Sequence, residues 1–222
     1  MSNKTLVDLD QWLAPHKSII QAREKYISSK LKTVLSGKTP AEFAMGFLHF
    51  GLHKTDVRWT FREWAPNATR MFLVGDFSDW KEREEFALNR DKNGEWSINL
   101  PENSLRHGQK YKLHVYWSGG DGWRLPSYAN YVVQDENSVD FSAVVWLPKT
   151  PYDWQYKTPP KPKVPLIYEA HIGMSSQEEK VASFSEFTTE VLPRIKESGY
   201  NTIQLMAIAE HPYYGSFGYH VS

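Results

Sequence analysis

Apolar residues recur along this chain with more than one period, and each period marks a different kind of element. Between residues 18 and 36, Ile19, Ile20, Tyr26, Ile27, Leu31, Val34 and Leu35 return at intervals of three, four and seven, which predicts an amphipathic helix. Ser18 is its expected N-cap and Gly37 its expected stop; Ser36-Gly37-Lys38-Thr39-Pro40 then breaks the pattern. From about residue 44 to residue 146 the period falls to two. Val57, Trp59 and Phe61 alternate with Arg58, Thr60 and Arg62, and Trp96, Ile98 and Leu100 alternate with Ser97 and Asn99. Tyr111, Leu113, Val115 and Trp117 alternate with Lys112, His114 and Tyr116, and Met71 to Val74 is one apolar run. Turn signals separate these runs at Ala65-Pro66-Asn67, at Asp91-Lys92-Asn93-Gly94 and at Ser118-Gly119-Gly120-Asp121-Gly122. Asn93-Gly94 marks a hairpin, because both residues tolerate positive φ. Short strands at this spacing predict an immunoglobulin-like β-sandwich of roughly a hundred residues. Trp59, Trp64, Trp96 and Trp146 are expected in its core.

Residues 147–165 carry six prolines, which remove backbone donors and fix φ, so an extended linker is expected there. The pattern then changes again. Leu166 to Ile172 reads as a strand, Ser183 and Glu186 as a capping box, and Phe184, Phe187, Val191, Leu192 and Ile195 as the apolar face of a helix. Pro193 should kink or split that helix, and Gly199 should end it. Thr202 to Ile208 is a second strand. Strand, helix, strand predicts a βαβ unit with parallel strands, and such a unit does not bury its own sheet faces. The chain stops at Ser222 just past an aromatic loop, so the simplest expectation is a truncated second domain. The organisation is therefore multidomain: an N-terminal helical segment (1–43), a β-sandwich (44–146), a Pro-rich linker (147–165) and an incomplete parallel unit (166–222).

Charge narrows the function classes. Lys plus Arg equals Asp plus Glu at 26 each, which gives no basis for a nucleic acid or an acidic membrane as partner. Cys is absent, so disulfides and thiolate metal sites are excluded. The first residues lack the apolar run of a signal peptide and no stretch approaches a membrane span, so a cytoplasmic protein is expected. The eight His are scattered without metal-ligand spacing, and no phosphate-binding, dinucleotide or serine-nucleophile motif appears, so neither metal nor cofactor is expected. Aromatics make 14% of the residues. Sheet cores favour aromatics, and so does carbohydrate binding, where the C–H face of a pyranose packs on a ring; composition alone leaves both open.

Specific segments carry a resemblance. Phe61-Arg62-Glu63-Trp64-Ala65-Pro66-Asn67-Ala68, followed by Val74-Gly75-Asp76-Phe77-Ser78-Asp79-Trp80, resembles carbohydrate-binding module family 48. Ile167-Tyr168-Glu169-Ala170-His171-Ile172-Gly173 resembles the first barrel strand of glycoside hydrolase family 13. Val191 to Lys196, Gly199 to Ile208, and Glu210-His211-Pro212-Tyr213-Tyr214-Gly215-Ser216-Phe217-Gly218-Tyr219 are similar to the eukaryotic type of 1,4-α-glucan branching enzymes.

The resemblance implies that 166–222 begins a (β/α)8 TIM barrel, whose function collects at the C-terminal ends of its strands. It implies a two-step retaining transfer between α-1,4 and α-1,6 linkages in glycogen, amylose or amylopectin, by an Asp and a Glu about 5 Å apart. Those carboxylates belong to later strands, so the segment by itself is expected to be inactive. Tyr219 matches the tyrosine that stacks on the sugar next to the scissile bond, with Ser216-Phe217-Gly218 holding it. Tyr214 and His211 join it as substrate-binding candidates, while Tyr213, Tyr214 and Phe217 also read as padding of the barrel mouth. His220 stands where many branching enzymes have Gln. Glu169 and His171 are expected to satisfy each other structurally rather than to act in catalysis.

In the sandwich, Trp80, Lys112 and Trp123 match glucan-binding positions. Lys112 has the parity opposite to Tyr111 and Leu113 and should face outward; Trp123 lies in a Gly-rich loop; Trp80 equally reads as packing under its turn. Two other readings share these features: a glucan-binding regulatory module without catalysis, and a hydrolytic debranching enzyme of family 13.

Overall fold

The computed structural model describes residues 5–221, which divide into two compact units at Phe50/Gly51. In the first unit, α1 (Leu6–Leu9) is followed by a 3₁₀ turn over Gln11–His16, by α2 (Lys17–Leu35) and by α3 (Pro40–Phe43). The long helix begins one residue before the expected cap. Ser18 lies inside it, because the 3₁₀ turn feeds straight into the helix and supplies its first carbonyls; Asp10 caps that turn by accepting from the Trp12 N–H at 2.9 Å. Ser36 and Gly37 both take positive φ (47° and 88°) and stop the helix. Thr39 and Glu42 form a capping box on α3 that the periodicity did not reveal.

The second unit opens with β1 (Gly51–Lys54), β2 (Arg58–Trp64) and β3 (Ala68–Gly75). It continues with β4 (Asn89–Arg90), β5 (Glu95–Pro101), β6 (Lys110–Trp117), β7 (Gly120–Arg124), β8 (Val132–Gln134) and β9 (Phe141–Val144). One antiparallel sheet has the order β1-β2-β5-β4; the other has the order β3-β6-β9-β8, with β7 also paired to β6. Trp59, Phe61, Trp96, Ile98 and Leu100 of the first sheet pack against Met71, Leu73, Tyr111, Leu113 and Ala143 of the second. This is the expected sandwich, and its inner faces are the alternating sets read from the sequence. The two core indoles are satisfied by backbone: Trp59 Nε1 donates to Glu102 O at 2.9 Å and Trp96 Nε1 to Ala65 O at 3.0 Å.

Trp64 and Trp146 are corrected. Trp64 follows Glu63 with the outward parity of β2 and is exposed; Trp146 lies past the end of β9, edge-on to His107 and Tyr131, and is also exposed. The inward position next to Trp64 belongs to Glu63, which is buried because its carboxylate accepts from the N–H groups of Trp64 (3.0 Å) and Ser127 (2.8 Å). Val57 precedes β2 and is exposed too. In the hairpin before β5 only Gly94 takes positive φ (84°), and a Cβ there would stand 2.6 Å from Pro66.

No helix or strand occurs between Val144 and Ile167. Then β10 (Ile167–His171) and β11 (Thr202–Met206) pair in parallel, from Ile167 opposite Thr202 to His171 opposite Met206. Asn201 clamps their starts together: its Oδ1 accepts from Leu166 N at 2.8 Å, and its Nδ2 donates to Val164 O at 3.0 Å. The connection is split as Pro193 required. Residues Phe184–Glu186 form α4, behind the Ser183–Glu186 capping box, and Leu192–Glu197 form α5. Between them Phe187–Val191 is a π-turn, which accommodates the ring of Pro193. Ala170, Ile172, Phe187 and Ile195 form a small core there, while Leu166, Ile167, Leu205 and Ile208 stay exposed.

Candidate functional site

The outer face of the β3-β6-β7 sheet is an aromatic surface, and it is built from the positions of β6 whose parity turns them away from the core. Lys112, His114 and Tyr116 point to this side; their cross-strand neighbours are Val74, Phe72 and Arg70 on β3, and Trp123 lies opposite His114 on β7. Trp80 joins from the loop after β3. That loop leaves the sheet where Gly75 crosses β6 so closely that a Cβ would stand 2.3 Å from Lys110 O. Ser78, fully buried, ties the turn to both backbone groups of Gly75. Asp79 and Trp80 then hold φ of 53° and 57°, a left-handed pair rare for bulky residues, and the Trp80 N–H donates to Gly75 O at 3.0 Å. Asp76 completes the brace. It accepts from Trp80 Nε1 at 2.9 Å with one oxygen and from Lys110 N at 2.7 Å with the other.

Trp80 therefore stands on this surface rather than beneath its turn, 37% exposed, and Trp123 is 45% exposed. Their ring centroids lie 6.4 Å apart with planes inclined by 53°, which makes an open V of two indoles. Lys112 shares the face, as its parity predicted, but it is buried there. Its side chain is only 9% exposed, and its ammonium is paired with Asp140, whose carboxyl this hydrogen bond holds below the ordinary carboxylate range. The burial has a physical reason: the sheet's outer face carries its own buried layer, including Phe72 and Val74, and the lysine stem is part of it.

Sequence reading missed the group beneath the indoles. His114 lies flat against Trp123, with centroids 4.8 Å apart and planes 5° from parallel. Its Nδ1 faces Glu82 Oε1, and its Nε2 faces Asp121 Oδ2 at 2.7 Å. The Tyr116 hydroxyl donates to the same Glu82 oxygen at 2.6 Å, and that bond pushes the phenol's pKa up. The signal was available: His114 has the parity of Lys112, two residues away on the same strand.

The second set of candidates follows β11. Tyr214, Phe217 and the ring of His171, the last residue of β10, meet edge-on at centroid distances of 6.0 and 6.1 Å. Tyr214 lies over Gly173, where a Cβ would meet its hydroxyl at 2.8 Å, and its ring stacks on His211 at 6.4 Å. The His211 Nδ1 is 2.9 Å from Ala209 O. Phe217 and Gly218 take positive φ, and a Cβ on Gly218 would collide with Ala207 at 2.5 Å. Tyr219 follows, 78% exposed.

Glu169 and His171 do not satisfy each other. Glu169 accepts from Gln204 Nε2 of the neighbouring strand at 2.9 Å. His171 has both ring nitrogens buried without a hydrogen-bond partner among the described residues.

The β-sandwich thus carries two half-exposed indoles on one outer face. Residues 49–129 match the family model described as carbohydrate-binding module 48 (isoamylase N-terminal domain). Across almost its whole length the chain is similar to proteins named 1,4-alpha-glucan-branching enzyme. It is 42% identical to that of Yarrowia lipolytica over 96% of this chain and 32% of the relative. It is 39% identical to that of Solanum tuberosum over 99% of this chain and 27% of the relative, and 37% identical to that of Equus caballus over 98% and 32%. The chain thus spans about a third of the length of these relatives. Its fold is that of the pullulanase from Bacillus acidopullulyticus (TM-score 0.58, 21% identity, 73% of this chain and 22% of that one). A pullulanase mutant from Paenibacillus barengoltzii complexed with maltotriose gives a TM-score of 0.59 at 22% identity, over 81% of this chain and 31% of that one. Among the described residues no helix is long and apolar enough to cross a membrane.

Proposed function

We propose that this chain is the leading part of a cytoplasmic 1,4-alpha-glucan branching enzyme, which cuts an α-1,4 glucan chain and rejoins it in α-1,6 linkage during glycogen or starch synthesis. The similarity to proteins of that name across almost the whole chain carries this reading. The division follows the sequence: a helical segment (1–43), a glucan-binding sandwich (44–146), a linker (147–165) and the first βαβ unit of a (β/α)8 barrel (166–222). The exposed apolar residues of β10 and β11, and the unpartnered nitrogens of His171, support a unit that packs against more chain.

Two surfaces of this chain would meet α-glucan. On the sandwich, Trp80 and Trp123 offer ring faces for the C–H face of a pyranose, and the Lys112 ammonium, paired with Asp140 on the same side, keeps N–H groups to donate to a hydroxyl. On the barrel rim, Tyr219 stacks on the donor sugar, with Tyr214 and His211 beside it. The exposure of Tyr219 and its place after a parallel strand support that role. The attacking Asp and the proton-donating Glu of the retaining mechanism belong to the remainder of the enzyme, so these 222 residues bind but do not transfer.

A titration with β-cyclodextrin, followed by indole fluorescence, tests the first surface. The chain should bind, and Trp80→Ala and Trp123→Ala should each weaken binding by about fivefold or more. Unchanged affinity in both variants would remove the sandwich site. Formation of α-1,6 links in amylose by the 222-residue chain would refute the division of labour.

A further inference from the structure

The ring of His114 is held at both nitrogens. Each ring nitrogen faces a carboxylate oxygen, Glu82 at Nδ1 and Asp121 at Nε2, and a carboxylate only accepts, so both contacts are hydrogen bonds only when both nitrogens carry protons. The ring is 13% exposed and fills the space between Phe72 on β3 and Trp123 on β7, its direct cross-strand neighbours. We infer that His114 is a positioning residue for Trp123, and that α-glucan binding by the sandwich weakens as the imidazolium gives up its proton. The inference rests on the glucan-binding reading of Trp80 and Trp123.

The chain of cause is short. Glu82 and Asp121 grip the imidazolium from both ends of the ring and fix its plane. The indole of Trp123 lies parallel to that plane with one face on the imidazolium, and it is half-exposed. When one nitrogen loses its hydrogen, it meets a carboxylate oxygen lone pair to lone pair, and that grip is lost. The ring then tilts or turns, and Trp123 loses the support that sets its angle to Trp80.

The neighbouring charged groups of this face have partners of their own. Tyr116 keeps its proton because it donates to Glu82. Arg70 is paired with Glu84 at 2.5 Å, and Lys112 with Asp140, whose carboxyl is held ionised.

The test compares the 222-residue chain with His114→Arg and His114→Phe, by β-cyclodextrin titrations between about pH 5.5 and about pH 8.5, the span in which histidines titrate. Arginine is planar, always charged and able to donate to both carboxylates; phenylalanine is planar and does neither. The parent chain should lose about fivefold in affinity from the acid to the alkaline end, one charge-assisted contact being at stake. H114R should hold the acid affinity throughout, and H114F should sit near the alkaline affinity throughout. Equal pH slopes in the parent and H114F, or an H114R that binds no better than H114F, would overturn the inference. Binding that Trp123→Ala abolishes but that is flat with pH sinks the role of His114 alone. A parent chain that binds no β-cyclodextrin at any pH sinks the glucan reading and this inference with it.

Discussion

Lys112 is where stability and binding can be pulled apart. Its side chain is 9% exposed and that of its partner Asp140 is 67% exposed, so the pair is a buried stem with a head at the surface. Truncation to Ala removes three methylenes from a buried position opposite Val74. At about 0.8 kcal/mol each, the loss is about 2–3 kcal/mol. Lys112→Met keeps the volume and forfeits the ion pair, which is worth ~0–1 kcal/mol because Asp140 is solvated and the charge is screened. Urea unfolding followed by tryptophan fluorescence reads this directly, since Trp59 and Trp96 lie in the core. K112A should lower the unfolding free energy by about 2–3 kcal/mol and K112M by less than about 1 kcal/mol. Both should weaken β-cyclodextrin binding to a similar extent, because both lose the charged donor. If K112M proves as unstable as K112A, the ion pair and not the stem holds the position, and the reasoning fails.

Three further outcomes follow from single positions. Gly75→Ala forces a Cβ against Lys110 O and should cost about 1–3 kcal/mol in urea unfolding while weakening glucan binding through Trp80; an unchanged midpoint would show that the strands can part there. Burial pushes the phenol of Tyr111 well above its ordinary value, so the stability tied to its neutral form is complete below about pH 10 and is lost as pH climbs from there toward the folded-state value. Tyr111→Phe should therefore move the onset of alkaline unfolding, seen by tryptophan fluorescence, to higher pH. Phe61→Ala, at a fully buried site in the middle of the core, should cost about 3–5 kcal/mol by urea titration, and a cost under about 1 kcal/mol would mean that the core collapses to fill the gap.

Parity was the most legible feature. The alternation along β2, β5 and β6 told which residues face the core, because side chains on a strand have only two directions. The same rule, applied strictly, separates Trp64 from Trp59. The Ser183–Glu186 capping box, the break at Pro193 and the stops at Gly37 and Gly199 were also local matters, settled by backbone chemistry within a few residues. The candidate site was legible only as separate residues, Trp80, Lys112 and Trp123.

Tertiary structure decided what surrounds those residues. Glu82, His114 and Asp121 come from a loop and two strands, and no spacing rule links them until β6 pairs with β7. The partner of Lys112 sits 28 residues away, and the partner expected for His171 turned out to be engaged with Gln204. Periodicity reports which way a side chain points, since that is set by its own backbone. What it touches depends on chain segments brought together by folding, and on that the local pattern is silent.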